Sequence, residues 1–559
     1  MITLRDQRSA RIFALFLCLL LWIQPLQAAA FEDIASGFHT IQSRRIRSTL
    51  QFLASRHFRG RGTGSPEAAM TADYIASIFE RNGLQPPPGN SGRHVQEFDL
   101  VQAVPQKDCR LTVALQEGAN LDLKLGEDFM PAPWGPDASA VSGQLAFAGY
   151  GISAPELSYD DFASANVAGK IAVVFSKFPG GPKQSRWDFY SQKDYEEPWE
   201  KARQSQAAGA LGVLIILPSS ESVATLDSLN FKNAKTHLAS DMEGVRIPVL
   251  FLSYPAAEKL FRSGNSPDLL KEIQDKIDAD LNPVSLQLEK TVSLTVRYER
   301  KSLKGYNVIG IIPGSDSQLR DECILISAHH DHMGFGEDQE IYFGADDNAS
   351  GTTAVLELAE AYQAGPLRPR RSIVLAAWGA EELGLLGSRH YAQNPVFPLA
   401  KTIAMIQLDM IGRNEQRPAS AADGIESETE AGNTNSVNIA GSSFSPDLKR
   451  WFEACNLRTG LKLRYRYDSG QENLLKRSDH WCFLKAGIPS VFLFTGFHPD
   501  YHRPSDTADK INFDKMEKIT RLIYLVGWEI ATESGRPKFS QSGDGSAVGA
   551  PSGGRALRQ

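Results

Sequence analysis

Short apolar runs alternate with segments of helical period from about residue 304 to 533. The runs at 308–312, 324–328, 373–378, 403–408 and 490–494 are continuous and rich in Ile, Val and Leu, as buried strands are. Between and after them, 352–363, 382–393, 446–453 and 513–532 carry apolar residues at helical spacing. This rhythm predicts an α/β fold with a mixed, mainly parallel central sheet and helices on both faces. Upstream, Ile46, Leu50 and Leu53, then Ala72, Ile75, Ile78 and Phe79, predict helices within 41–86. The glycine-rich stretch 58–65 between them reads as a surface loop. From 143 to about 253 the pattern changes to short β-rich runs at 145–149, 171–175, 212–216 and 249–252, with a helix at 202–210. No paired histidines occur there, and the block reads as a separate inserted domain.

The two ends differ from this body. Arg5, Arg8 and Arg11 precede an apolar run over 12–23, which Gln24 and Pro25 break before Ala28, Ala29 and Ala30. That order predicts a secretory signal peptide over 1–30, hence export or a periplasmic location. The run is shorter than the ~20 residues a spanning helix needs, so no stable membrane span is expected after cleavage. The tail 534–559 has no apolar period and is expected to be disordered. A chain of 559 residues holds more than one domain. Its net charge of −7 argues against a nucleic-acid partner. Cys109, Cys323, Cys455 and Cys482 make no disulfide scaffold; one bridge is possible, with no pairing assignable, and the spacings fit no cysteine zinc site.

Chemistry collects at the strand ends. His329 and Asp331 follow the run at 324–328; Glu381 and Glu382 follow Trp378; Asp409 follows Leu408; Tyr501 and His502 lie in the loop after Phe494. A single acid at such a place is usually an N-cap or a solvated loop residue. Four buried strands each ending in acid or histidine instead deliver ligands to one edge of an open sheet, where such folds bind. Nitrogen and oxygen donors of this kind suit zinc and related divalent ions. His330 and His332 alternate with His329 and Asp331, so an extended segment sends them elsewhere, to the surface or behind the ligands.

The series AHHDHMG, GADDNASG, AAWGAEELGLLGS, QLDMIGR, RSDHWCFLKAGIP and HPDYHRPSDTADK resembles the co-catalytic di-zinc aminopeptidases, the aminopeptidase Y-like and bacterial leucine aminopeptidase-like enzymes. The likeness runs over about 41–533, and YDDFASANVAGKIAVV resembles their inserted protease-associated domain. It implies a domain order of 31–142 and 266–533 for the peptidase and 143–265 for the insert. It also implies two zinc ions. His329 and Asp409 would hold one, Glu382 and His502 the other, and Asp347 would bridge both, with Asp346 only a neighbour. Asp331 would orient His329, Glu381 would be the general base, and Tyr501 would help hold the oxyanion. Asp479 could support the site and His498 could line the cleft, while His480 is no ligand. The implied activity is removal of N-terminal residues from peptides by metal-activated water. Rivals on the same scaffold are a carboxypeptidase or dipeptidase and a one-metal glutaminyl-cyclase-like acyltransferase. A non-catalytic binding ectodomain is a rival from another class.

Overall fold

The computed structural model describes residues 31–540, apart from 115–119, 181–194, 222–224, 227–234, 263–267, 337–338, 417–427 and 469–473. The leader expected at 1–30 lies outside the described residues. Backbone packing divides the chain into one unit of Met1–Glu97 with Gly305–Gln559 and another of Phe98–Lys304. The block read at 143–265 lies inside the second unit, which also holds strands on either side of it.

The first unit is built on β1 (Tyr298–Ile312), which belongs to it from Gly305 onward, and on β2 (Cys323–His329), β3 (Ser372–Trp378), β4 (Thr402–Leu408), β5 (Ser436–Ala440), β6 (Lys462–Arg464) and β7 (Ser490–Phe494). They lie in the order β1-β3-β2-β4-β7-β5-β6. The middle four, β3-β2-β4-β7, are all parallel, while β1 and β5 run antiparallel to their inner neighbours. Every residue of β2, β3, β4 and β7 is buried, as both faces are covered. Period two divides β2: Ile324, Ile326 and Ala328 enter one core, Cys323 and Leu325 the other. The first core receives α1 (Ser43–Leu53), α2 (Pro66–Arg81), α3 (Gly351–Ala361), α5 (Pro446–Asn456) and α7 (Phe513–Thr532). The second receives Tyr391 of α4 (Leu386–Gln393) and Phe483 of α6 (His480–Lys485). In α7, Met516, Ile519, Ile523, Val526 and Ile530 form one stripe, wholly buried. Each such side chain contributes ~1.5–3 kcal/mol of transfer free energy before entropy is counted. Asn512 caps its start by accepting from the Lys515 amide at 3.1 Å.

The second unit has an eight-stranded sheet, in which Ala138–Ala148, Ile171–Phe175, Gly212–Ile216 and Val249–Leu252 are parallel neighbours. Ser285–Val296 pairs antiparallel with Ala138–Ala148 and with Arg110–Ala114. Helices Pro198–Ala207, Tyr254–Phe261 and Leu269–Asp280 accompany the sheet. The long strands Val95–Pro105 and Ser285–Val296 escaped the sequence reading because they alternate buried and exposed residues instead of forming continuous apolar runs.

Three expectations are corrected. The stretch 58–65 is no surface loop, since Phe58, Gly60 and Arg61 are buried. Helix α4 starts at Leu386, four residues later than its period suggested, because Gly384 and Leu385 take positive φ of 103° and 59° and hold Glu381 and Glu382 in a turn. Of the tail expected to be disordered, 534–540 pack on the body of the unit, and 541–559 lie outside the described residues. The Ser540 amide donates to Phe444 O at 2.8 Å, Phe539 stacks on Phe444, and Arg536 pairs with Glu322 at 2.7 Å. The four cysteines outside the leader are free thiols. Among the described residues no helix is long and apolar enough to cross a membrane.

Candidate metal centre

Parallel pairing fixes where the four strand ends meet. His329 lies opposite Trp378, and Ser327 opposite Gln407, which lies opposite Phe492. The residues following each strand therefore leave the sheet at the same edge. His329 ends β2, Glu381 and Glu382 follow β3, Asp409 follows β4, and Tyr501 and His502 belong to the loop after β7. Asp347 comes from the segment Ala345–Ser350, which leads into α3.

These side chains converge. His329 Nε2 lies 3.2 Å from Asp409 Oδ1 and 3.3 Å from Asp347 Oδ1. The other Asp347 oxygen, Oδ2, lies 3.1 Å from His502 Nε2, which is itself 3.1 Å from Glu382 Oε2. One carboxylate thus faces two separate nitrogen–oxygen clusters, one oxygen to each. Glu381 Oε2 stands 3.9 Å from His329 Nε2, and ligand atoms of His329, Glu381 and Glu382 lie within 4.8 Å of one another. Tyr501 stacks on His502 at 3.9 Å between centroids and packs edge-on against Phe497.

A second layer of contacts holds this set in place. Asp331 accepts from the Glu381 amide at 3.1 Å and from Thr63 Oγ1 at 2.8 Å, and its Oδ1 is 3.8 Å from His329 Nδ1. Ser478 Oγ donates to Asp409 Oδ2 at 2.7 Å. Asp506 accepts from the amides of Asp346 and Asp347 at 3.0 and 3.1 Å. Asn348 donates to Leu408 O at 2.9 Å, tying the bridging segment to the end of β4. Gly344 has φ of 54°, and a Cβ there would stand 2.1 Å from Asp347 O and 2.4 Å from the His332 ring. Only glycine fits that corner. Arg61, wholly buried, donates to four carbonyls: Nε to His330 at 2.9 Å, Nη1 to Leu53 at 3.0 Å and Phe343 at 2.9 Å, and Nη2 to Gly344 at 2.8 Å.

The remaining candidates fall around this core. His332 is buried, with Nδ1 2.7 Å from Glu382 Oε1, so Glu382 is gripped by His332 on one oxygen and His502 on the other. Alternation predicts His332 at the surface or behind the ligands; it is buried against Glu382, and His332, Asp347 and Glu382 lie close enough together to hold an ion. His330 is buried too, with Nε2 2.7 Å from Tyr306 O. Asp346 turns to the Gly412 amide at 2.6 Å and to His498 at 3.2 Å, so both lie beside the cluster and outside it. His480 is buried and stacked on Phe492. Asp479 accepts from Gln407 Nε2 at 2.9 Å, and burial pushes its carboxyl up to about 7. Arg61 and Thr63 were missed because a lone Arg or Thr in a glycine-rich stretch carries no periodic signal. Three glycines within five residues, beside a cation, were the available sign of a close backbone approach.

The charge balance of the centre calls for cations. Asp331, Asp347, Glu381, Glu382 and Asp409 are each at least nine-tenths buried, and three imidazoles face them. Among the described residues no lysine or arginine pairs with any of the five; Arg61 spends its donors on carbonyls. Buried anions without counter-charge are costly. Accordingly burial and neighbouring anions push Glu381 far up, and burial pushes Asp409 up. Burial opposes ionisation of Asp347, but His332, His329 and His502 outweigh it and hold this carboxyl far down. Burial works against His502, yet its bonds to Asp347 and Glu382 carry it up to about 10. Divalent cations held by these side chains would supply the missing counter-charge. The donor set of imidazole nitrogen and carboxylate oxygen fits zinc.

Residues 307–526 match Peptidase family M28, and residues 139–260 match the PA domain. The chain is 26% identical over 412 residues to aminopeptidase YwaD of Bacillus subtilis (strain 168), covering 71% of each protein. It is 25% identical over 450 residues to an aminopeptidase of Pseudomonas aeruginosa (strain UCBPP-PA14), covering 80% of this chain and 69% of that one. Among solved structures, an aminopeptidase from Aneurinibacillus sp. strain AM-1 superposes with a TM-score of 0.50 at 20% identity, over 91% of this chain and 97% of the other, which supports the fold.

Proposed function

We infer that this chain, which belongs to peptidase family M28 and carries an inserted PA domain, is a zinc-dependent aminopeptidase that hydrolyses N-terminal residues from peptides. The observation that carries the reading is the Asp347 carboxylate, with one oxygen beside His329 and the other beside His502. That arrangement supports two ions: one with His329, Asp409 and Asp347, the other with Asp347, Glu382 and His502. Zinc bound there would lower the pKa of water and polarise the scissile carbonyl. The chain's own groups do the rest. Asp331 and Thr63 fix the turn that carries Glu381, so that the Glu381 carboxylate can take a proton from the attacking water and return it to the leaving amine. The Tyr501 hydroxyl has no partner among the described residues and lines the same cleft, available to the oxyanion. Phe492, Phe494 and Phe497 form an apolar wall beside the ligands, suited to an apolar side chain. The basic, apolar and small-residue order of 1–30 supports an exported, periplasmic or secreted enzyme.

Two adjacent glutamates provide the test. Glu381→Gln should retain zinc and lower kcat by the ~10²–10⁴-fold typical of a lost general base, with KM little changed. Glu382→Gln should instead weaken zinc binding and make activity depend on added zinc. The reading is wrong if free and N-acetylated peptides are cleaved equally, and the one-metal rival gains if active protein holds a single ion.

A further inference from the structure

We propose that Arg477 makes this cleft select for a substrate carboxylate, carried either by an acidic first side chain or by the C-terminus of a short peptide. The proposal rests on the aminopeptidase reading and names the substrates within it. Arg477 lines the cleft together with His329, Glu381, Asp409 and Tyr501, and among the described residues it is the only lysine or arginine in the lining. Its backbone is fixed relative to the metal-binding groups. The Arg477 amide donates to Leu474 O at 3.0 Å and closes the turn Leu474–Lys476. The next residue, Ser478, is buried and donates to Asp409 at 2.7 Å. The guanidinium lies 5.3 Å above the Phe497 ring, whose other contacts are Phe494 and Tyr501. An aromatic face orients the planar fork and leaves its N–H groups free at the edge.

Several other arginines of this unit are paired. Arg413 binds Asp500 and Arg466 binds Glu415, each across neighbouring segments. Arg464 and Arg466 share Glu428, and Arg371 and Arg536 share Glu322. Among the described residues Arg477 has no carboxylate and no hydrogen-bond acceptor for its side chain. An unpaired fork that is held over an aromatic ring and lines a site built for peptides can take a carboxylate bidentately. The ligand carboxylates that line the same cleft are the ones zinc would neutralise, so they would not cancel this charge. The apolar wall still receives the body of the first side chain, and the arginine then reads what lies at its far end or across the scissile bond.

The experiment measures kcat/KM of the zinc-loaded full chain for two matched pairs. One pair is Glu-p-nitroanilide and Gln-p-nitroanilide, which differ only in the side-chain carboxylate. The other is Leu-Gly and Leu-glycinamide, which differ only in the terminal carboxylate. Wild type should favour the carboxylate-bearing member of at least one pair. In Arg477→Gln that preference, read as the ratio within the pair, should fall by ~10-fold or more, the range of one charge-assisted hydrogen bond. Arg477→Lys should keep part of it, and Arg477→Glu should reverse it. Because each value is a ratio within one protein, a variant of lower overall activity still reports. Loss from the first pair assigns the side-chain carboxylate, and loss from the second assigns the terminus. Equal ratios in active wild type and Arg477→Gln overturn this proposal alone. Wild type inactive on all four substrates overturns the aminopeptidase reading and this inference with it.

Discussion

Replacing Arg61 by Lys tests whether the glycine-rich stretch is part of the centre's frame. The guanidinium joins four carbonyls from three segments: Leu53, His330 and the pair Phe343–Gly344. His330 adjoins the ligand His329, and Gly344 lies three residues before the bridging Asp347. Burial lowers this group to about 10 against the opposing pull of Asp347 and Asp331, so the arginine stays a cation at neutral pH. Lysine loses the fork. A shorter-reaching ammonium can serve about two of the four carbonyls, which leaves roughly two buried acceptors orphaned at ~1–3 kcal/mol each. The expected loss is therefore ~2–6 kcal/mol, a large part of the ~5–15 kcal/mol that holds a native protein together. Denaturant unfolding of the zinc-free protein measures that loss. Zinc competition then measures the second consequence: both ligand-bearing segments gain freedom, and affinity should fall by the ~10–100-fold seen when supports of metal ligands are removed. Added guanidinium should partly restore zinc affinity in Arg61→Gly and not in Arg61→Lys. An Arg61→Lys protein within ~1 kcal/mol of wild type, with unchanged zinc affinity, would refute the reasoning.

Further outcomes follow from other sites. Glu357, 6% exposed beside Arg45, is pushed up to about 7 by burial against the opposing pull of Arg45. A carboxyl raised in the folded state contributes its full stability below the unfolded pKa, and that contribution is lost as pH rises through about 7. Glu357→Gln should therefore match wild type near pH 4 and exceed it by about 3 kcal/mol at pH 8, as read by denaturant midpoints; equal pH profiles would count against this account. Truncation after Ser540 should leave the melting temperature unchanged. Truncation before Ser534 removes the Arg536–Glu322 pair and the Phe539–Phe444 contact and should cost ~1–3 kcal/mol; equal melting temperatures for the two truncations would show that these contacts carry nothing.

Continuous apolar runs and terminal acids made the sheet legible from the sequence. A strand buried on both faces has to be apolar throughout, so β2, β3, β4 and β7 announce themselves, and β7 spans the run found at 490–494. Helix α7 was equally plain because twenty residues of one period leave few alternatives. Strands with one wet face, Val95–Pro105 and Ser285–Val296, dilute their signal with polar residues and were passed over.

The same sequence named the chemistry by residue type and by position after each strand. It could not say how those residues meet, because parallel register is a property of pairing and not of any one segment. Tertiary structure alone turns Asp347 so that its two oxygens face different histidines, brings His332 back onto Glu382, and sinks Arg61 beneath both. It also decides that Glu381 and Glu382, adjacent in the chain, differ in surroundings. The positive φ at Ala380 and Leu385 bends the turn, placing one carboxylate near His329 and the other between His332 and His502. Local composition sets which groups are available. Which of them share a buried space, and hence which must share a charge, is decided by the long-range closure of the sheet, because burial and Coulomb energy depend on distance in space and not along the chain.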